Sequence, residues 1–97
     1  MAKKGYWVVV YESMSNPAAI PEYAKLAGPA LQASGGRLIV SATPAKTHEA
    51  GRNERVVLVE FDSLEKAIAA YETDAYKAAL KVFNNAAKRD FRIVEGV

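Results

Sequence analysis

Two segments of this chain are apolar on both faces of an extended strand. Residues 6–11 read Tyr-Trp-Val-Val-Val-Tyr, and residues 55–61 read Arg-Val-Val-Leu-Val-Glu-Phe. β-Branched and aromatic residues favour a pleated strand over a helix. Because side chains alternate between the two faces of a strand, each segment places apolar groups on both sides of its sheet. A sheet built around these strands therefore needs cover on both faces.

Four segments predict strands, at residues 5–13, 37–42, 55–61 and 90–95. Between the second and third strands, residues 43–54 are polar and contain Pro44, Gly51 and Asn53. These residue types are typical of turns, so we expect a long loop there.

Two further segments repeat apolar residues at the helical spacing of three and four. The first ends before Gly35-Gly36 and consists of Ile20, Tyr23, Ala27, Ala30 and Leu31. The second begins after the capping residues Asp62 and Ser63, and we expect it to continue past a fresh cap at Thr73-Asp74 as far as Ala87. On this assignment four basic residues lie on the outer, solvated side of the helix: Lys77, Lys81, Lys88 and Arg89.

The resulting order, βαββαβ, predicts an α+β fold of the ferredoxin-like type. It comprises one domain over residues 1–97, with a four-stranded antiparallel sheet and two helices on one face. Right-handed crossovers place the first and third strands in the centre of the sheet. Since helices cover one face only, the other face keeps a broad apolar patch, and a second copy of the chain is its simplest cover. We therefore expect a homodimer that pairs through the sheet face.

The composition excludes several functional classes. The chain has no cysteine and one histidine, which leaves no disulfides, no thiolate ligands and too few imidazoles for the usual metal sites. The net charge of +2 is mild, and the third strand lacks the base-stacking aromatics of RNA-binding domains with this element order. No apolar run approaches the roughly 20 residues of a membrane helix. We expect no cofactor, no metal, no nucleic-acid or membrane partner, and a cytoplasmic location.

A few residues could carry chemistry. His48 has the side-chain type that titrates nearest neutrality, which makes it a candidate catalytic base or proton shuttle, although a solvated loop histidine is the plainer alternative. Tyr23, Tyr71 and Tyr76 lie on helix stripes that face the sheet, where they either pack or line a pocket that binds an oxygenated ring. Arg37 follows two glycines and could bind a carboxylate or enolate, or serve as an edge-strand charge.

An ordered set of short segments resembles the family known as domain of unknown function 1330. The segments are Gly5-Tyr6-Trp7-Val8-Val9, Tyr23-Ala24-Lys25, Gly35-Gly36-Arg37, the stretch 55–63, Ala75-Tyr76 and Val94-Glu95-Gly96. This resemblance implies a dimeric α+β barrel, in which two ferredoxin-like sheets pack face to face. Proteins that share the barrel include cofactor-independent monooxygenases and lactone isomerases. The resemblance thus implies a small homodimer that binds or transforms an aromatic or oxygenated small molecule without a cofactor. The alternative is a non-catalytic dimeric module, either structural or ligand-binding.

Overall fold

The computed structural model describes residues 3–97, and it shows the predicted order of elements. These are β1 (Gly5–Met14), α1 (Ala19–Ala33), β2 (Arg37–Ala42), β3 (Val56–Phe61), α2 (Leu64–Tyr71), α3 (Asp74–Phe83) and β4 (Ala87–Glu95). The strands form one sheet in the order β2-β3-β1-β4, and each neighbouring pair is antiparallel. The ferredoxin-like prediction is confirmed, with the first and third strands in the centre. Within residues 3–97, no helix is long and apolar enough to cross a membrane.

The two faces of the sheet differ in burial. On β1, Trp7, Val9 and Tyr11 are buried against the helices, while the alternating residues Val8 and Val10 are only half-buried. We call the second side the open face; besides Val8 and Val10, its apolar residues are Val40, Ala42, Val56, Leu58 and Val94. The Cα positions span only 15 Å in the thinnest direction, which corresponds to one layer of helices on one layer of sheet.

Trp7 is the centre of the core on the helix side. Its ring centroid lies 5.0–5.3 Å from those of Phe61, Tyr76 and Phe91. Its indole Nε1 donates a 2.7 Å hydrogen bond to the carbonyl oxygen of Ala67, which ties α2 to β1. A buried indole N–H needs such a partner, and this one orients the ring across the sheet.

Two side-chain caps divide the second helical segment as the sequence predicts. The Ser63 hydroxyl accepts from the backbone N–H of Lys66 at the start of α2. The Thr73 hydroxyl accepts from the backbone N–H of Tyr76 at the start of α3. Each cap satisfies a backbone donor that the first helical turn leaves without a partner.

The end of α3 differs from the sequence prediction. Asn84 and Asn85 both adopt left-handed backbone conformations, with φ of 41° and 57°, so the helix ends at Phe83. Asparagine tolerates this conformation because its short side chain bonds locally. Ala87 is therefore the first residue of β4 and does not extend a helical stripe. The prediction that Lys88 and Arg89 lie on the outer side of a helix is wrong: both belong to β4, where Lys88 is exposed and Arg89 is half-buried.

Candidate functional site

A cavity of about 640 Å³ lies between α1 and the sheet. Its floor consists of apolar side chains of the central strands, among them Trp7, Val9 and Val57. On the opposite side, α1 presents the small residues Ala24, Ala27 and Gly28. Because α1 packs mainly against α3, these small residues leave the space above the sheet unfilled.

Three residues with polar side chains lie side by side on neighbouring strands, on the helix side of the sheet at one end of the cavity. Tyr11 of β1 pairs with Arg89 of β4 in the antiparallel register. On its other side, the backbone N–H of Tyr11 donates a 2.9 Å hydrogen bond to the carbonyl oxygen of Arg55. All three residues line the cavity. We call them the Arg55–Tyr11–Arg89 row.

The guanidinium group of Arg89 is held by aromatic groups. Its central carbon lies 4.2 Å from the ring centroid of Phe83, and its Nη1 donates a 3.2 Å hydrogen bond to the Tyr23 hydroxyl. Burial opposes its charge, but the neighbouring phenol oxygens outweigh this effect and raise the pKa of Arg89. Within residues 3–97, no carboxylate forms an ion pair with it. Arg89 is thus a charged, half-buried donor with only phenols and rings around it.

The hydroxyl oxygens of Tyr23 and Tyr76 lie 2.6 Å apart. Tyr76 is fully buried, and in the described chain Tyr23 is the only hydrogen-bond partner of its hydroxyl. A buried hydroxyl proton without an acceptor is costly, so we assign Tyr76 as the donor and Tyr23 as the acceptor of this bond. Arg89 donates to the same oxygen. On this assignment the Tyr23 oxygen accepts twice, and its own proton has no acceptor among the described residues. Since Tyr23 lines the cavity, a molecule bound there can accept that proton.

Comparison with known proteins identifies the family. The profile of the family described as Domain of unknown function (DUF1330) matches residues 4–97, which is nearly the whole chain. The chain belongs to the DUF1330 family. No curated protein matches it in sequence.

Solved structures share the fold of this DUF1330 chain. RPA0582, a protein of unknown function from Rhodopseudomonas palustris, is 14% identical with a TM-score of 0.73, over 100% of this chain and 85% of its own. SnoaB, a cofactor-independent oxygenase from Streptomyces nogalater, is 8% identical with a TM-score of 0.65, over 96% of this chain and 92% of its own. An ethyl tert-butyl ether d (ethd) family protein from Bacillus halodurans C-125 is 18% identical with a TM-score of 0.66, over 97% and 99%. Identities this low establish the α+β fold alone.

The site residues predicted from the sequence of this DUF1330 chain are not all at the cavity. Tyr23 lines it, whereas Tyr71 packs on the far side of the core, with ring centroids 5.2 Å from Tyr76 and 5.2 Å from Phe91. His48 is exposed in the loop between β2 and β3 and does not contribute to the cavity wall. The assignments of His48 as catalytic base and of Tyr71 as a binding residue stay predictions.

Arg37 borders the cavity at the start of β2, but its charge is paired on the open face of the sheet, where its register partner Glu60 lies. Its guanidinium donates to Glu60 at 3.1 Å and to Asp62 at 3.0 Å. These bonds hold the pKa of Asp62 below its usual value, so both partners stay ionised at neutral pH. A ligand carboxylate would compete with two carboxylates of the chain for Arg37, and its binding role stays a prediction.

Sequence reasoning missed Arg55 and Arg89 as site residues, and it left open whether Trp7 and Tyr11 line a pocket or the dimer interface; both line the cavity. A usable signal exists for Arg89, because Arg89, Phe91 and Ile93 alternate at the strand spacing of two. The adjacent asparagines 84 and 85 also mark a helix end, since asparagine is common where the backbone turns left-handed. Together these signals would have moved the start of β4 to Ala87.

Proposed function

We propose that this DUF1330 chain binds an oxygenated, mainly apolar small molecule, such as a phenol or aromatic ketone, in the cavity between α1 and the sheet. Its volume, about 640 Å³, falls within the range of small-molecule sites, roughly 300–1,000 Å³. Its wall combines aromatic and aliphatic side chains with a few convergent polar groups, as such sites do. The observation that carries the proposal concerns the Tyr23 hydroxyl. Because Tyr76 and Arg89 both donate to its oxygen, its own proton can be donated to a ligand in the cavity.

The polar end of the cavity would select for oxygen. A ligand oxygen beside Tyr23 would accept the hydroxyl proton, and the charge of Arg89 would strengthen that bond. A hydrocarbon of the same shape would instead cover a polar group without satisfying it, which costs free energy. Trp7 and Phe91 offer ring surfaces against which a planar ligand would stack.

A second candidate function is cofactor-free catalysis of the monooxygenase or isomerase kind. It draws on the fold shared with SnoaB and on the donors at Tyr23 and Arg89, which would stabilise an oxyanion that develops on the substrate. Proton abstraction needs a base as well, and the cavity wall that residues 3–97 provide contains no His, Asp, Glu or Lys. His48 would have to reach the ligand from its loop. This arrangement favours binding, and His48→Ala should then leave ligand affinity within about twofold.

The open face of the sheet supports a homodimer. Its central residues Val8, Val10 and Leu58 are apolar and half-exposed, whereas charged pairs such as Arg37–Glu60 and Arg92–Asp90 lie toward its margins. An apolar centre with a polar rim is the anatomy of a protein interface. A second copy would present the same surface and could bury it by two-fold symmetry. We therefore propose a homodimer that binds a small molecule. The alternative, a purely structural dimer, does not explain why the cavity exists.

Binding of 2-naphthol, followed by the fluorescence of Trp7, tests the proposed function. Trp7 is the single tryptophan of the chain and lines the cavity. We expect 2-naphthol to bind more tightly than 2-methylnaphthalene, and Ala24→Phe, which fills the cavity from α1, to weaken binding at least tenfold. The matched control, Lys25→Phe, adds the same ring at an exposed position outside the wall. Equal affinity for the two probes, or equal effects of the two variants, would refute the proposal.

A further inference from the structure

We infer that the ligand of this cavity carries a carboxylate, and that the Arg55–Tyr11–Arg89 row binds it. This inference rests on the proposed binding function and narrows its ligand to planar apolar carboxylates. The apolar part of such a ligand would lie over Val9 and Val57, with its charged end toward the row.

The geometry of the row suits a small anion. Neighbouring strands lie about 4.8 Å apart, so the backbones of Arg55 and Arg89 are about 10 Å apart on either side of Tyr11. Both arginines lie beside Tyr11 on the same side of the sheet, and both line the same cavity. A carboxylate above Tyr11 can accept hydrogen bonds from both, and guanidinium groups match the planar geometry of a carboxylate.

The cavity wall provides no negative charge to balance the two arginines of this row. The wall formed by the described residues contains three arginines and no Asp or Glu. Arg37 is paired with Glu60 and Asp62, and on the open face Arg92 is paired with Asp90. By contrast, the side chains that accept from these two arginines in residues 3–97 are hydroxyls: Ser41 accepts from Arg55 at 2.7 Å, and Tyr23 accepts from Arg89. Among the described residues, two arginines that have no carboxylate partner therefore line the same end of an apolar cavity, on either side of Tyr11.

Tyr11 adds a neutral donor between the two charges. Burial raises the pKa of its hydroxyl, although the nearby Arg89 guanidinium acts in the opposite direction. The phenol keeps its proton at neutral pH, and it can donate that proton to a carboxylate oxygen. Tyr11 is itself buried, so a carboxylate that contacts it is largely removed from water. In that setting the half-buried Arg89 holds the ligand more strongly than a surface charge would, and the exposed Arg55 adds a second charged donor.

The test compares 2-naphthoate with 2-naphthamide, two probes of nearly equal shape that differ in charge. Isothermal titration calorimetry at pH 7 should show 2-naphthoate binding at least tenfold more tightly. Arg55→Gln and Arg89→Gln should each weaken 2-naphthoate about tenfold to 100-fold, as expected for a lost bond to a charged group, and leave 2-naphthamide within about threefold. Arg52→Gln and Lys88→Gln remove the same charge at exposed positions outside the cavity wall, and should change neither affinity.

The outcomes separate this inference from the function on which it rests. If 2-naphthamide binds as tightly as 2-naphthoate, the carboxylate inference is overturned while the binding function stands. If neither probe binds, both fail. Equal losses in Arg55→Gln and Arg52→Gln would indicate general attraction of anions and would also overturn the inference. Arg89 stacks on Phe83, so Arg89→Gln can fail to fold; the exposed Arg55 then decides the result by itself.

Discussion

Tyr23 of α1 and Tyr76 of α3 share a 2.6 Å hydrogen bond between their hydroxyl oxygens, and the two phenols have unequal roles in it. Both tyrosines line the cavity, but among the described residues the Tyr76 hydroxyl has one hydrogen-bond partner, whereas the Tyr23 hydroxyl also accepts from Arg89. The same bond joins the two helices whose packing keeps α1 above the sheet. The Tyr23 side chain therefore both joins α1 to α3 and offers a hydrogen-bond donor to a ligand.

This asymmetry predicts that Tyr23→Phe destabilises the protein more than Tyr76→Phe does. Tyr23→Phe leaves the buried Tyr76 hydroxyl and the Arg89 guanidinium without their acceptor, which should cost about 1–3 kcal/mol. Tyr76→Phe removes one neutral hydrogen bond and leaves no buried group unpaired, so about 1 kcal/mol or less is expected. Urea unfolding gives both free energies. Equal costs, or the reverse order, would contradict the assigned direction of the bond.

Stability should fall in alkaline solution because two buried phenols resist ionisation. Burial raises the pKa of Tyr76 and of Tyr11 above the ordinary value of 10.0. Above pH 10 the unfolded chain loses these protons while the folded chain keeps them, so the free energy of unfolding decreases as pH rises. Below pH 10 the contribution is fully present. Urea unfolding at pH 8 and pH 11 should show a smaller decrease for Tyr76→Phe than for the wild type, and an unchanged decrease would argue against a raised pKa.

The homodimer proposal predicts that Leu58→Asp yields monomer or insoluble protein. Leu58 lies on the open face, so the new carboxylate would be buried unpaired in the interface at a cost of several kcal/mol. Ile68→Asp is the matched control, since Ile68 is equally apolar but exposed on α2. Light scattering at micromolar concentration distinguishes the states. A stable, soluble wild-type monomer would end the proposal, as would an identical effect of the two substitutions.

Gly5 is expected to be intolerant of any side chain. A Cβ at this position would lie 2.5 Å from the carbonyl oxygen of Ser63 and 2.7 Å from the Cα of Leu64. Both are backbone atoms at the start of α2, so neither can move without displacing the helix. Gly5→Ala should therefore destabilise the fold by about 1–3 kcal/mol, as overpacked cores do. Ser13→Ala, at the exposed end of the same strand, should stay within about 0.5 kcal/mol in the same thermal or urea measurement.

Local patterns were sufficient to predict the architecture. The aromatic and β-branched segments, the stripes of α1 and α2, and the caps at Ser63 and Thr73 each report their structure within a few residues. Right-handed crossovers predicted the central position of β1 and β3, which the strand order confirms. The fold could be predicted because apolar periodicity and helix caps involve residues that are close together in the sequence.

The site was decided by tertiary structure. Tyr11, Tyr23, Tyr76 and Arg89 come from four different elements, and no spacing along the chain relates them. They meet because the β1–β4 register sets Arg89 beside Tyr11 and because α1 packs on α3, which brings Tyr23 to Tyr76. The start of β4 in turn depends on two left-handed asparagines that interrupt an otherwise continuous helical stripe. Burial produces a periodic pattern of apolar residues within one segment, which can be read from the sequence. The meeting of site residues from distant segments depends on strand register and helix packing, which only the folded chain determines.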